Sequence, residues 1–261
     1  MKAWQSLDIK EIIKTNREFL KANYWGEWKL KDLNTDQRQG VPPPPLEKPF
    51  SDDANLIDLP DPMSSDIGSM PLKEAIFRRR SRREFSTEPI CLEELSFLLW
   101  AAQGVHEIIR EGTSTRRTVP SGGARHPFET YLYINHVDGL SLGLYRYLPI
   151  EHQLLFLYTN QDLAETIHTA CYQKFVKKGA VVFIWTTIPY RSEWRYSFLS
   201  HKVIAQETGH ICQNLYLASE SIGAGTCALG TYNQKAIDAI LGVDGEDEFA
   251  IYVAVVGKIP Y

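Results

Sequence analysis

Cysteine is scarce in this 261-residue chain, and what there is stands unpaired. Cys91, Cys171, Cys212 and Cys227 form no Cys-x-x-Cys and no paired-histidine spacing. Without a secretion signal after Met1 they read as free thiols, which argues against a disulfide scaffold or a structural zinc site. His201 and His210 stand too far apart on one predicted helix to share a metal, so no metal is expected. No stretch approaches the roughly eighteen uninterrupted apolar residues of a membrane span, and the expected location is cytoplasmic. Excess positive charge is also missing. With 28 Lys+Arg against 32 Asp+Glu the net charge is −4, which disfavours a generalised nucleic-acid binder. Gly-x-Gly-x-x-Gly after a strand and Gly-x-x-x-x-Gly-Lys are absent, and the one Gly-x-Ser-x-Gly, Gly139–Gly143, falls between two predicted strands rather than at a strand-to-helix turn. A tightly held dinucleotide, a P-loop and serine hydrolysis therefore find no support. No internal repeat is visible.

What is present is a hydrophobic content of 44%, enough to bury a sizeable core in one domain or a domain plus an arm. Residues 6–23 place Ile9, Ile12, Ile13, Phe19 and Leu20 at helical spacing, with Ser6 and Asp8 as N-terminal caps. From Trp25 to about Met70 turn and proline signals dominate, including Pro42-Pro43-Pro44-Pro45. That run favours extended polyproline backbone and reads either as an SH3-type ligand or as a surface arm wrapping the body. Trp25, Trp28 and Phe50 are the expected aromatic anchors of such an arm. The division that follows is an N-terminal helix and Pro-rich arm over 1–70 and a body over 71–261.

In the body, helices are expected over Lys73–Arg80, Leu92–Gln103, Leu163–Tyr172, Phe198–Ser221 and Ala236–Leu241. Strands are expected over Thr130–Ile134, Gly143–Tyr147 with Leu154–Tyr158 as a hairpin, Ala180–Trp185 and Phe249–Val256. Residues 105–119 read as a polar loop, and Gly223-Ala224-Gly225 as a helix stop. The elements do not alternate as a β-α-β series, which predicts an α+β fold with a mainly antiparallel sheet.

Two stretches about forty residues apart carry most of the chemistry. Arg79-Arg80-Ser81-Arg82-Arg83-Glu84-Phe85 gathers four guanidinium forks around one hydroxyl, a composition suited to a phosphate. Alternation along an extended segment would turn Arg79, Ser81 and Arg83 one way and Arg80 and Arg82 outward. Pro120-Ser121-Gly122-Gly123-Ala124-Arg125-His126-Pro127-Phe128 is a glycine-paired turn whose backbone can approach a flat ligand. The plainer alternatives are a solvated basic turn or nucleic-acid patch for the first, and an ordinary turn before a strand for the second.

These motifs, with Trp100-Ala101-Ala102-Gln103-Gly104, Gly143-Leu144-Tyr145-Arg146-Tyr147 and Gly209-His210-Ile211-Cys212-Gln213-Asn214-Leu215, resemble the FMN-dependent nitroreductases. The SagB-type branch, which includes azoline oxidases of peptide tailoring, is the nearest in pattern. The resemblance spans roughly Leu72 to Gly257. It implies a nitroreductase-like antiparallel sheet wrapped by helices in an interlocked homodimer, with FMN at the dimer interface. It further implies that Arg79, Arg80, Ser81 and Arg83 grip the phosphate, and that Pro120, Ser121, Gly122 and Gly123 meet the ring. Ala228, Leu229 and Gly230 would lie against the ring, with the Gly230 N–H toward flavin N5, where a donor stabilises developing charge.

The family also carries basic residues after the final strand. Here only Lys258 remains, with Arg116 or Arg117 as candidate substitutes. Many relatives have Asn at Ala124 and Gln at His126. The Lys-Tyr pair of the azoline oxidases is missing from Tyr190-Arg191-Ser192-Glu193-Trp194-Arg195-Tyr196, although Tyr190, Arg195 and Tyr196 are candidates for a substrate pocket. The implied activity is ping-pong electron transfer from NAD(P)H or an organic donor to a small aromatic, nitro, quinone or heterocyclic acceptor. The alternatives are a SagB-type dehydrogenase of a peptide or other biosynthetic intermediate, and a catalytically silent flavin-fold binding protein.

Overall fold

A computed structural model describes residues 8–22, 25–26 and 33–260 of the chain. The fold is α+β. Among these residues one sheet is built from β1 (Leu56–Asp58), β4 (Phe128–Ile134), β5 (Gly143–Leu148), β6 (Gln153–Tyr158), β7 (Val181–Thr187), β8 (Ala224–Leu229) and β9 (Phe249–Lys258). Its seven strands lie in the order β1-β6-β5-β4-β7-β9-β8, and every pairing between them is antiparallel. A separate hairpin joins β2 (Val105–Ile109) to β3 (Ser114–Arg117) where the sequence reads as a polar loop. In β2 a half-buried residue stands at each end of three exposed ones, so no period-two signal marks it.

Both faces of the sheet are buried. On β4, Leu132 and Ile134 enter one core while Tyr131 and Tyr133 enter the other; on β7, Phe183 and Trp185 oppose Val182 and Ile184 in the same way. This two-sided burial explains why β7 reads as a continuous apolar run rather than an alternating one. Helices α3 (Leu92–Gln103) and α6 (Ser200–Ser221) cover the first face, and α4 (Leu163–Ala170) and α7 (Gln234–Leu241) the second. On α3, Leu95, Leu98 and Leu99 are fully buried, and Glu94 at its third position accepts the Cys91 amide at 3.1 Å. Truncating any of these leucines to alanine is a change worth about 2–5 kcal/mol.

Helix α1 (Ile9–Leu20) is capped by Asp8, whose carboxylate accepts the Lys10 amide at 2.9 Å, and it buries no residue. Ser6 and Trp28 lie outside the described residues. Trp25 meets Tyr196 edge-on at 6.0 Å, while Phe50 is exposed. The segment from residue 37 to 49 is held chiefly by polar ties. The carbonyls of Val41, Leu46 and Lys48 accept from Trp194, Arg117 and Arg146, and the Lys48 amide donates to Glu129 at 2.8 Å. Lys48 also pairs with Glu248 at 2.6 Å. Residues 56–58 then join the sheet beside β6.

Candidate functional site

Helix α6 carries the side chains that place both sequence motifs. Near its C-terminal end, the Tyr216 hydroxyl lies 3.2 Å from Ser81 Oγ and accepts the Ala228 amide at 2.9 Å. One turn further on, buried Glu220 accepts the Arg80 amide at 3.1 Å and meets Arg82 Nε at 3.4 Å. The arginine segment follows α2 (Leu72–Arg78) and runs beside β8. Ser81 bridges Thr226 in parallel register, and the Arg82 amide donates to the Thr226 carbonyl at 2.9 Å.

Arg82 does not point outward, as simple alternation expects. Its stem lies on Gly225, where an added Cβ would come within 2.3 Å of it. The carboxylate of Glu220 then draws its head group inward. Arg79 lies over the Tyr216 ring at 5.3 Å from its centroid. Arg79, Arg80 and Arg83 have no carboxylate partner among the described residues. A cavity of about 380 Å3 opens beside Arg80 and Arg83, lined also by Ser81, Arg82, Glu84, Ile259 and Pro260.

The Gly223-Ala224-Gly225 stretch, read as a helix stop, leads directly into the edge strand β8 from Ala224 to Leu229, whose small residues let Arg82 pack on it. Gly230 follows it and is exposed, with no atom within 4 Å of where a Cβ would stand.

The Pro120–Gly123 turn is held near the other end of α6. Glu207 Oε2 accepts the Ser121 hydroxyl at 2.9 Å, and Oε1 accepts the Gly122 amide at 2.6 Å. Ser121 Oγ in turn accepts the His126 amide at 2.9 Å, which closes the turn upon itself. Burial raises the Glu207 carboxyl from its ordinary 4.5 to about 6, against the lowering effect of these two donors. Gly123 needs to be glycine: its φ is +66°, and an added Cβ would come within 2.6 Å of the Tyr196 hydroxyl and 2.8 Å of Arg195 Nε. His126 is buried and neutral, since burial first and then Arg117 lower it to about 3.

Glu207 and Tyr216 are nine positions apart on α6. Helical geometry puts them about 13 Å apart along the axis and on opposite sides of it. One copy of the chain therefore presents the arginine segment and the Pro120–Gly123 turn in different directions.

Several residues that the sequence offers for the site serve elsewhere. Lys258, expected at a phosphate, reaches Glu94 Oε1 at 2.5 Å and the Ile222 carbonyl at 3.0 Å, so its charge is neutralised beneath α3. Arg116 pairs with Glu107 at 2.6 Å across the exposed hairpin, and Arg117 is buried against Gln103, Thr115 and Leu46. Of the expected substrate-pocket residues, Arg195 and Tyr196 press on Gly123, whereas Tyr190 is exposed and donates to Asp36 at 2.8 Å. Glu207, Tyr216 and Glu220 escape a reading of the sequence because their partners are remote in the chain. No group of three or more His, Cys, Asp or Glu suited to a metal occurs among the described residues, and His210 is exposed. No helix among them is long and apolar enough to cross a membrane.

Known proteins share this architecture. The protein MJ1384 of Methanocaldococcus jannaschii, a nitroreductase by name, is 32% identical over 195 residues, covering 74% of this chain and 93% of its own. The trifolitoxin-processing protein TfxB of Rhizobium leguminosarum bv. trifolii is 29% identical over 152 residues; the match covers 56% of this chain but 41% of TfxB. Among solved structures, a nitroreductase-named chain from Ralstonia eutropha JMP134 superposes with a TM-score of 0.65 at 26% identity, covering 84% of this chain and 99% of that one. Another, from Anabaena variabilis ATCC 29413, gives a TM-score of 0.64 at 21% identity over 79% of this chain and 42% of that longer one. The Nitroreductase family model matches residues 76–258. With its antiparallel sheet, its arginine segment and its glycine turn in the places described, the chain belongs to the Nitroreductase family.

Proposed function

We propose that this protein is an FMN-dependent oxidoreductase. In a ping-pong cycle it passes electrons from NAD(P)H or an organic donor to a small aromatic, nitro, quinone or heterocyclic acceptor. The observation that carries this reading is the link from Ser81 through Tyr216 to Ala228, which ties the arginine segment at one hydroxyl to the end of β8, just before Gly230.

The residues fit the group at both of its ends. Cations without carboxylate partners border a cavity large enough for a phosphate, and the backbone at Gly230 faces open space that a flat ring can enter. Arg79, Ser81 and Arg83 would hold the phosphate, with charge-assisted forks from the arginines and a neutral donor from the serine. Arg80 and Arg82 are shaped by Glu220 and frame the same cavity. Ala228, Leu229 and Gly230, and the backbone of Pro120 to Gly123, would line the ring, with the Gly230 amide assigned to N5. When bound, FMN supplies reversible hydride acceptance, for which no acid–base side chain is required.

The opposed directions of the two motifs on α6 favour a homodimer in which the Pro120–Gly123 turn of one copy completes the cradle of the other. A second reading, a dehydrogenase of a peptide or other biosynthetic intermediate, draws on the likeness to TfxB. The absence of Lys-Tyr between Tyr190 and Tyr196 places it second.

The test is a visible absorbance spectrum of the purified protein followed by anaerobic titration with NADH and NADPH. A flavin band bleached by either donor supports the oxidoreductase. A band bleached by neither, but by a peptide or heterocyclic donor, favours the second reading. Bound flavin that no donor reduces would mark a silent binding protein, and colourless protein unable to take up FMN would refute the proposal.

A further inference from the structure

Resting on the flavin reading above, we infer that the Gly122–Gly123 turn carries an anion-recognition pocket built by Arg195 and Arg110 and backed by Arg125. The substrate class is therefore a small carboxylate- or phosphate-bearing molecule.

Three guanidinium groups converge on this turn from three elements. Arg195 comes from α5 (Tyr190–Tyr196), and its Nε and Cδ stand within 3 Å of the position a Gly123 Cβ would occupy. That Nε is buried and has no hydrogen-bond partner. Arg110, at the β2–β3 turn, donates from Nη1 to the Gly123 carbonyl at 3.2 Å, and the residue is exposed. Arg125 is buried behind them; it donates to the Arg191 carbonyl at 2.8 Å and the Thr113 carbonyl at 2.9 Å and stacks on Trp194 at 4.9 Å. Burial first, then Arg195, Arg191 and Arg110 in that order, lower the Arg125 guanidinium to about 10.

The nearby carboxylates do not offset this charge. Glu129 pairs with Arg191, Glu193 with His201, and Glu207 accepts from Ser121 and Gly122. Arg110, Arg125 and Arg195 make no ion pair among the described residues. An unpaired buried donor is costly, and like charges gathered in a partly dry place repel. A fold that retains both is completed by an incoming anion. Arg195, whose guanidinium lies over the Tyr196 ring at 5.4 Å from its centroid, and Arg110 would present donors to it.

The experiment uses the full-length, flavin-loaded protein and two matched probes, benzoate and neutral benzamide, with binding followed by calorimetry. Benzoate should bind at least about tenfold more tightly than benzamide, the scale of one charge-assisted hydrogen bond. Arg195→Ala should erase that preference, and Arg195→Lys should restore part of it. With 4-nitrobenzoate and nitrobenzene as acceptors, Arg195→Ala should raise KM for the anion alone. Equal affinity for benzoate and benzamide in the wild type overturns the inference, as does an Arg195→Ala variant that keeps the preference. A protein that takes up no flavin but still prefers benzoate contradicts the oxidoreductase reading and leaves the anion pocket standing, so the two failures are distinguishable.

Discussion

Glu207 holds Ser121 across 86 positions of sequence, accepting its hydroxyl at 2.9 Å while also accepting the neighbouring Gly122 amide at 2.6 Å. One carboxylate on α6 thus fixes the turn that the sequence marks only by its glycines. Its partners lower the carboxyl and burial raises it, and burial prevails at about 6.

A raised folded-state value means that the native protein binds this proton more tightly than the unfolded chain does. The associated stability is fully present below about 4.5 and is lost as pH rises through about 6. The difference corresponds to about 2 kcal/mol. Glu207→Gln should remove that slope: the wild-type minus variant stability should fall by about this amount between pH 4 and pH 7. Urea unfolding at both pH values measures it, and a difference that stays constant contradicts the assignment.

Tyr216→Phe deletes the hydroxyl that accepts the Ala228 amide and faces Ser81. Leaving a part-buried amide without its acceptor costs about 1–3 kcal/mol. The variant should lose stability on that scale and weaken FMN binding together. Chemical denaturation and fluorescence titration with FMN report the two effects, and unchanged affinity would remove Tyr216 from the site.

Glu47 lies near Glu151, with which it shares a side-chain hydrogen bond, and near Glu129, while the Ile150 amide approaches it at 3.5 Å. Burial first, then those two carboxylates, push it up to about 8. The sign again follows from a raised value: stability is present at low pH and lost as pH rises through about 8. The segment around Leu46 and Lys48 should therefore become more open to proteolysis at pH 9 than at pH 7. Glu47→Gln should suppress the change, so wild-type and variant cleavage rates with the same pH response would count against it.

Arg191 and Glu129 form an ion pair in which both side chains are at least 97% buried, and Glu129 also accepts the Lys48 amide. Removing one member leaves an uncompensated charge, a loss of about 3–5 kcal/mol. Glu129→Ala should lower the unfolding midpoint accordingly. Exchanging both residues for apolar ones of similar size should restore much of it, and a tolerated single substitution would disprove the coupling.

The fold is legible in the sequence where local rules and packing agree. Leu92–Gln103 reads as a helix because its apolar stripe faces the core and Gly104 follows it, and the same residues are helical in the structure. Ala180–Trp185 reads as a strand because of its continuous apolar run, and the structure places the strand at Val181–Thr187, buried along its whole length. The hairpin from Val105 to Arg117 is hidden by the mostly outward side chains of its first strand, and β8 by small residues that mimic a turn. In the candidate site, Ser81 and the paired glycines are visible from composition, but the side chains that position them are not. Glu207, Tyr216 and Glu220 become meaningful only once α6 runs past both motifs. Lys258 misleads for the same reason, since Glu94, its partner, is 164 positions away.

The central claim is that one flavin is held by the arginine segment of one copy and the glycine turn of another. Co-expression of Arg83→Ala with Gly123→Ala, followed by a count of FMN bound per chain, tests it most directly. Each variant alone should bind little, whereas random pairing restores one intact site in each mixed dimer, so about a quarter of all sites should fill. A mixture that binds no more flavin than the average of the two separate variants would contradict the account.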